Sequence, residues 1–209
     1  MRFAVVALLL IVAQVTIAQP DGDLNNKGVA LMDQEKYAEA LPYFDKLVAR
    51  NPGSTLYRYN RAITRTHLRN YRAALQDYLE LTKAVPDEAE YFFQAGSLFE
   101  KLDSSKLAES YYTKAISRDG ENFQFFFQRG TFYLKLNIYN KALTDFNRAL
   151  VLNPEHDNSL HNRGIANFKM GFKEKACDDW CRSYRKGNQV SLSHITKNCK
   201  NISNCLPSK

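Results

Sequence analysis

The chain has 209 residues, of which 44% are hydrophobic and 24% are charged, and it contains only six prolines. This composition supplies enough apolar side chains for a buried core and excludes a wholly disordered chain. The formal net charge is +7, and the excess lies at one end, because residues 169–209 carry nine basic and three acidic side chains.

The first eighteen residues have the pattern of a secretory signal peptide. Arg2 gives a positive start, residues 4–13 are continuously apolar, and the small residue Ala18 precedes Gln19. We expect cleavage between Ala18 and Gln19 and export to the periplasm or the extracellular space. The alternative is a transmembrane anchor. Cleavage is favoured, because a span needs about 20 apolar residues and this run is interrupted by Gln14. No later segment is apolar enough to span a membrane.

A repeat of 34 residues begins at Asp21 and gives five units, which start near residues 21, 55, 89, 123 and 157. A residue's place is its position within its unit. The eighth place is small, and it is occupied by Gly28, Ala62, Gly96, Gly130 and Gly164. The twentieth is always alanine, at Ala40, Ala74, Ala108, Ala142 and Ala176. The twenty-fourth is always aromatic, at Phe44, Tyr78, Tyr112, Phe146 and Trp180, and the thirty-second reads Pro52, Pro86, Gly120 and Pro154.

Each of these places has a physical reason. Small residues at the eighth and twentieth places let two helices approach closely, and an aromatic residue four positions after the alanine lies on the same helical face. Proline at the thirty-second place cannot continue a helix, so it ends the second helix of the unit. The pattern therefore predicts ten helices in antiparallel pairs.

The landmarks resemble the tetratricopeptide repeat family over residues 21 to about 188. The resemblance implies an all-α fold, a right-handed α-solenoid of about five hairpins covering residues 19–188. It also implies a non-enzymatic scaffold that binds a protein or peptide partner. In this family the first helix of each hairpin builds the concave wall, which is where the partner is expected.

The third unit departs from the pattern at two places. It has Ser105 where three other units have tyrosine, and Gly120 where three have proline. We expect its hairpin to be the most loosely packed of the five.

Residues 189–209 are expected to form a capping helix and a tail. A terminal repeat needs a cap with a polar outer side, and the segment from Val190 to Cys199 follows the breaker at residues 187–188. If this helix runs antiparallel to the helix before it, Cys177 lies level with Cys199. That pair is the first choice for a disulfide, which leaves Cys181 for Cys205, and the exchanged pairing stays open.

Export favours structural disulfides for these four cysteines. A zinc site and a redox-active dithiol are the alternatives. The zinc site is disfavoured because the cysteine spacing and the lone nearby His194 do not match a usual zinc site. The redox-active dithiol is given less weight still. The stretch at residues 175–180 before this cap resembles exported repeat proteins of Bacteroidetes-type bacteria.

Two places on the expected inner wall form stripes. The fifth place reads Asn25, Tyr59, Phe93, Phe127 and His161, and the sixth place carries an amide in every unit, at Asn26, Asn60, Gln94, Gln128 and Asn162. An amide both donates and accepts hydrogen bonds, so a row of amides can bind the backbone of an extended peptide. The row resembles the asparagine ladder in the repeat domain of O-linked N-acetylglucosamine transferases. The alternative is that the amides satisfy neighbouring helices and that the aromatic residues are interhelical packing.

Other functions receive less support from the sequence. His67, His156, His161 and His194 lack metal-ligand spacing, and we expect no metal, cofactor or catalytic site. The inner wall lacks the basic cluster with which some family members clamp a chaperone's C-terminal carboxylate. Nucleic acid is not expected as the partner of an exported chain.

The basic C-terminal end has two interpretations. It includes Arg182, Arg185, Lys186, Lys197, Lys200 and Lys209. These residues would make weak contact with an acidic partner or an anionic membrane surface, or they form a solvated face, which is the more usual case. The alternative function is therefore a structural subunit of an envelope assembly that uses its convex or basic C-terminal surface.

Overall fold

The structure is a computed structural model that describes residues 20–200 and Cys205. The expected signal peptide and its cleavage site lie outside the described residues, as does most of the tail after Lys200. Residues 20–200 contain helices and turns and no strand.

Eleven helices follow one another in the described chain. Five are the first helices of hairpins, namely α1 (Asp21–Asp33), α3 (Thr55–His67), α5 (Ala89–Lys101), α7 (Phe123–Lys135) and α9 (Asp157–Lys169). Their partners are α2 (Tyr37–Arg50), α4 (Tyr71–Ala84), α6 (Ser105–Arg118), α8 (Tyr139–Leu152) and α10 (Lys173–Arg185), and α11 (Val190–Asn198) follows. Each helix packs on the next along the chain. The expected all-α solenoid of five hairpins with a capping helix is confirmed.

The eighth and twenty-fourth places meet inside each hairpin. A Cβ atom added to Gly28 would lie 2.7 Å from the Phe44 ring, and one added to Gly164 would lie 2.6 Å from Trp180 Nε1. All five alanines of the twentieth place are 0% exposed. The small residues therefore set how closely the two helices of a hairpin approach, and the aromatic ring fills the space between them.

Every first helix ends in the same backbone motif. The fifteenth place has a positive φ in each unit, with 59° at Glu35, 58° at Arg69, 56° at Asp103, 60° at Asn137 and 87° at Gly171. The next residue donates its N–H to a carbonyl five positions back, as in Lys36 N to Leu31 O at 2.8 Å. This pairing satisfies helix-end carbonyls in the manner of a Schellman motif. It turns the chain sharply into the second helix.

The third hairpin is not the most loosely packed, so that expectation was wrong. Its helices α5 and α6 make the most extensive contact of any helix pair in the described chain. The reason is Tyr111, whose ring centroid lies 6.0 Å from that of Phe92 and 5.0 Å from that of Phe99. In addition, the Tyr112 hydroxyl donates to Glu100 Oε2 at 2.8 Å.

Two disulfides fasten the C-terminal end. Cys177 pairs with Cys199, with Cα atoms 5.7 Å apart, and Cys181 pairs with Cys205, with Cα atoms 4.8 Å apart. Both bonds start on α10, and they hold Cys199, directly after α11, and Cys205 against it. The arrangement is the pairing given first choice from the sequence.

We expect Gly164→Ala to lower the free energy of unfolding by about 1–3 kcal/mol, because the new methyl group would overpack the hairpin against Trp180. Gly22→Ala is the matched control. Gly22 also lies in a helix, but nothing stands within 4 Å of an added Cβ atom, so alanine there raises stability by about 0.5–1 kcal/mol. Urea denaturation followed by circular dichroism measures both. Equal stability of the Gly164→Ala variant and the wild type would contradict the proposed close contact.

Candidate functional site

The first helices form one continuous wall of the solenoid. Direct contacts join α1 to α3 and α7 to α9, and no two second helices come into comparable contact within the described chain. Side chains also bridge the first helices, since Asn60 Nδ2 donates to Asn25 Oδ1 at 3.0 Å and Asn162 Nδ2 donates to Thr131 Oγ1 at 3.2 Å. Neighbours approach more closely on the inside of a curve, so this wall is the concave one.

The aromatic residues of the fifth place are mainly packing. Tyr59 lies between two rings. Its ring centroid is 6.1 Å from that of Tyr78 in its own hairpin and 5.5 Å from that of Tyr91 in the next first helix, α5. Burial raises the pKa of Tyr59, so its hydroxyl stays protonated at neutral pH. The ring is half-buried, so that only part of its surface is available to a ligand.

Phe93 and Phe127 repeat this arrangement in the next two units. Phe93 lies 5.8 Å from Tyr112 and 4.7 Å from Phe125, measured between ring centroids. Phe127 lies 6.2 Å from Phe146 and 4.7 Å from His156. Both rings are half-buried. Phe93 therefore links its own hairpin to the following unit, and Phe127 links its hairpin to the N-cap residue of α9.

The amides of the sixth place are more accessible. Asn26 and Gln128 are exposed, and Asn60, Gln94 and Asn162 are half-buried. Gln94 Nε2 donates to Glu90 Oε1 at 2.6 Å on the same helix. Asn60 and Asn162 donate to neighbouring first helices, so these three each use a donor within the protein. The structure thus brings the five amides onto one wall, with two of them exposed to solvent.

His161, at the fifth place of the last unit, was predicted to lie in the groove. It lies beneath the capping helix α11 instead. It is 8% exposed, and its Nδ1 lies 2.7 Å from Ser191 Oγ on α11. Burial, and then the charge of His194, lower the pKa of His161. The prediction that His161 contacts a partner in the groove is therefore wrong for this capped state, because α11 occupies the place of a sixth first helix.

A repeated ion pair was not foreseen from the sequence. An arginine at the seventh place donates both Nε and Nη2 to an aspartate at the twenty-third place. The pairs are Arg61–Asp77, Arg129–Asp145 and Arg163–Asp179, with donor–acceptor distances of 2.6–3.0 Å. A regular separation of sixteen residues between arginine and aspartate was the available signal.

The same arginines also tie consecutive hairpins together. Arg129 Nη1 donates to Thr113 Oγ1 at 3.0 Å, and Arg163 Nη1 donates to Asn147 Oδ1 at 2.8 Å. Burial alone would lower the pKa of Arg129, but the hydrogen bonds and charge of Asp145 raise it. The guanidinium therefore stays charged and joins two second helices on the outer side of the wall.

Within the described residues, no group of three or more histidine, cysteine or acidic side chains is arranged to hold a metal ion. In the same part of the chain, no helix is both long enough and apolar enough to cross a membrane.

Family models of the tetratricopeptide repeat match residues 25–89, 67–123 and 123–156. Together these matches cover more than half of the chain. The chain belongs to the tetratricopeptide repeat family. The family assignment agrees with the period, the small and aromatic landmarks and the hairpins described above.

Curated relatives share only part of the chain. The small glutamine-rich tetratricopeptide repeat-containing protein of Dictyostelium discoideum is 30% identical over 99 residues, which are 47% of this chain and 30% of that protein. The Hsp70-Hsp90 organising protein of Plasmodium falciparum is 28% identical over 102 residues, which are 48% of this chain and 18% of that protein. The matched region thus spans less than a third of either relative.

Solved tetratricopeptide repeat structures match more of the chain. YrrB, a TPR protein with an unusual peptide-binding site, has a TM-score of 0.69 at 19% identity, covering 83% of this chain and 90% of YrrB. MamA from Desulfovibrio magneticus has a TM-score of 0.74 at 16% identity, covering 79% of this chain and 94% of MamA. At such low identity these likenesses show the shared fold.

We expect Arg129→Met to lower the free energy of unfolding by about 3 kcal/mol, because it leaves the Asp145 carboxylate buried without its partner. The Asp145 side chain is only 3% exposed. The control is Glu80→Ala, which breaks the exposed Lys83–Glu80 pair and should leave stability nearly unchanged, because solvent screens an exposed pair. Urea denaturation measures both changes, and equal losses would show that burial does not govern the strength of the repeated pair.

Proposed function

We propose that the chain is a non-enzymatic scaffold that binds an extended peptide or protein segment along its inner wall. The observation that carries this proposal is the row of amides at the sixth place, of which Asn26 and Gln128 are exposed. An amide offers two donors and two acceptor lone pairs. Asn60 and Gln94 use one donor each within the protein, so positions remain for a ligand's backbone.

The spacing of the wall suits an extended chain. Packed helices stand about 8–10 Å apart, and an extended peptide advances about 3.3–3.6 Å per residue. A peptide that crosses the first helices in turn would meet one amide at about every third residue. Recognition of this kind reads the backbone and depends little on side chains, while the exposed parts of Tyr59, Phe93 and Phe127 add apolar contact.

The relatives support an interaction role without identifying the partner. YrrB is named for a peptide-binding site, and the Plasmodium falciparum relative is named for organising Hsp70 and Hsp90. This chain shares the repeat fold with both. We carry over from them only the general role of holding another polypeptide.

We further propose that the protein works after export, in the periplasm or outside the cell. The N-terminal pattern supports this proposal, and so do two disulfides at the cap, because such bonds persist in oxidising compartments.

The alternative use of the molecule is as a subunit of an envelope assembly, held through its C-terminal end. A cavity of about 410 Å³ beside the two disulfides is lined by three basic side chains, Arg182, Arg185 and Lys200, and one acidic side chain, Asp178. This basic surface would attract an acidic partner. Such a partner would leave the amide row unoccupied.

A peptide selected from a random display library against the mature protein tests the groove. We expect Gln94→Ala combined with Gln128→Ala to weaken its binding about tenfold, because each lost hydrogen bond contributes about 0.5–1.5 kcal/mol. Isothermal titration calorimetry gives the dissociation constants.

The matched control for this test is Gln76→Ala combined with Asn140→Ala, which removes two exposed amides from the second helices α4 and α8. The control is expected to bind as the wild type does. If the inner-wall and control variants bind every selected peptide equally, the amide row is not the binding site. A loss seen only on reversing the charge of Arg182 and Lys200 would favour the envelope assembly.

Expression of the full chain with a C-terminal tag in a bacterial host tests export. We expect the soluble exported protein to begin at Gln19 by mass spectrometry, with no thiol that reacts under denaturing, non-reducing conditions. Recovery of the chain from the membrane fraction with its first eighteen residues intact would instead establish an anchor.

A further inference from the structure

A pocket of about 430 Å³ lies at the C-terminal end of the inner wall, between α9, α10 and α11. Ile165 and Phe168 of α9 line one side, and Trp180 of α10 and His194 of α11 line the other. Its volume falls within the range of about 300–1,000 Å³ that small-ligand sites occupy. Neither the amide row nor the basic surface beside the disulfides includes these residues.

The pocket exists because the capping helix stops early. In the 34-residue register α11 is a sixth first helix, with Ser191 at the first place and the buried Ile195 at the fifth. The earlier first helices continue to the thirteenth place, where Lys135 Nζ reaches Glu100 of the preceding unit at 2.6 Å. In contrast, α11 ends at Asn198, the eighth place. Ile165 and Phe168, at the ninth and twelfth places of α9, therefore lack the cover that a full helix provides.

The floor of the pocket is aromatic. The Trp180 indole stacks on the His194 ring, with centroids 4.7 Å apart and planes inclined by 25°. Phe168 lies 5.6 Å from Trp180 between ring centroids. Trp180 itself is only 1% exposed, so the surface open to a side chain that enters from the groove is formed by Ile165, Phe168 and the His194 ring that stacks on the indole.

The rim of the pocket is positively charged. Lys169 and Lys197 line it and are exposed, and no aspartate or glutamate is among the described residues that line it. The surrounding end of the chain, residues 169–209, carries the whole basic excess of the mature protein. A ligand that enters the apolar floor therefore passes between two cations.

We propose that this pocket receives a large apolar side chain of a partner peptide whose flanking residues are acidic. The apolar side chain would lie on Ile165, Phe168 and the His194 ring, with the buried Trp180 indole directly beneath that ring, and the flanking carboxylates would pair with Lys169 and Lys197. The inference rests on the proposed peptide-binding function and adds the partner's chemistry, an acidic segment with one aliphatic or aromatic anchor. The amide row would then hold the backbone that leads to this anchor.

The chain's single tryptophan makes the pocket directly observable. Trp180 is the only tryptophan in the sequence, so its fluorescence reports on this pocket alone. The probe is a peptide with blocked ends and the sequence Gly-Ser-Asp-Glu-Leu-Glu-Asp-Ser-Gly, which has no fluorescence of its own. We expect a saturable change in Trp180 emission, with binding weakened by added salt.

Three matched peptides separate the two parts of the site. Replacing the acidic residues by Asn and Gln removes the charges, replacing them by Lys reverses the charges, and replacing Leu by Ala removes the anchor. We expect each of these peptides to bind at least fivefold more weakly than the probe.

Variants of the protein provide the second comparison. Lys169→Gln combined with Lys197→Gln should weaken the acidic probe about fivefold, since each exposed ion pair contributes up to about 1 kcal/mol. Lys46→Gln combined with Lys106→Gln is the control, because it removes the same charge from exposed positions on α2 and α6. The control should bind the probe as the wild type does.

Several results would overturn the proposal. They are the absence of a saturable tryptophan signal at millimolar probe, an equal response to the Lys-containing peptide, or equal weakening by both lysine pairs. A signal that changes with protein concentration alone would place a second copy of the chain in the pocket and also overturn it. Failure of the general groove is distinguishable, because the Gln94 and Gln128 variants are tested with library peptides and do not alter the lining of this pocket.

Discussion

The close contact between a small residue at the eighth place and an aromatic ring at the twenty-fourth governs the rest of this structure. An added methyl group at Gly28, Gly96, Gly130 or Gly164 would come within 3 Å of the facing ring. The two helices of a hairpin are therefore held at one separation, and the buried alanine of the twentieth place fits only at that separation. Four of the five units repeat this contact, and the second has Ala62, also a small residue, at the same place, so successive hairpins present similar faces to each other. The regular wall of first helices follows from this constraint.

The same constraint decides which groups on the wall remain for a partner. Once the twenty-fourth-place ring fills the hairpin, the fifth-place ring packs over its edge and touches the next unit, as Phe93 does with Tyr112 and Phe125. Much of the surface of these fifth-place rings is therefore buried in contacts that join hairpins. The neighbouring sixth place points away from that contact far enough for Asn26 and Gln128 to stay exposed. The wall therefore offers a partner mainly amide groups that form hydrogen bonds, together with a small apolar surface.

The sequence predicted features whose residue type recurs at a fixed place. The hairpins follow from the alanine and aromatic places, which are the same in every unit, and most helix ends follow from proline at the thirty-second place. The positive φ at the fifteenth place was missed because five different residue types occupy it. The seventh-place arginine and twenty-third-place aspartate occur in three units only. In the first unit Lys27 lies over the Tyr43 ring, and in the third Tyr111 packs against the apolar cluster that contains Ala95. That substitution of an aromatic contact for an ion pair also explains why the third hairpin is well packed. The surroundings of His161 were predicted wrongly for a different reason. They depend on α11, and the register of α11 with the repeat is hard to recognise in the sequence. This short helix ends at the eighth place and so lacks the later landmark residues.

The shortness of the capping helix α11 affects both its own stability and the shape of the groove beside it. A helix of nine residues is marginal on its own, and α11 buries only Ser191 and Ile195, so packing alone gives it little hold on α10. The disulfides close loops with sequence separations of 22 and 24 residues, and cross-links of that size contribute about 3 kcal/mol each. They allow a helix too short to complete a sixth unit to remain docked. The missing turns leave Ile165 and Phe168 partly open at the end of the groove, so the covalent cap and the apolar pocket are consequences of the same truncated repeat.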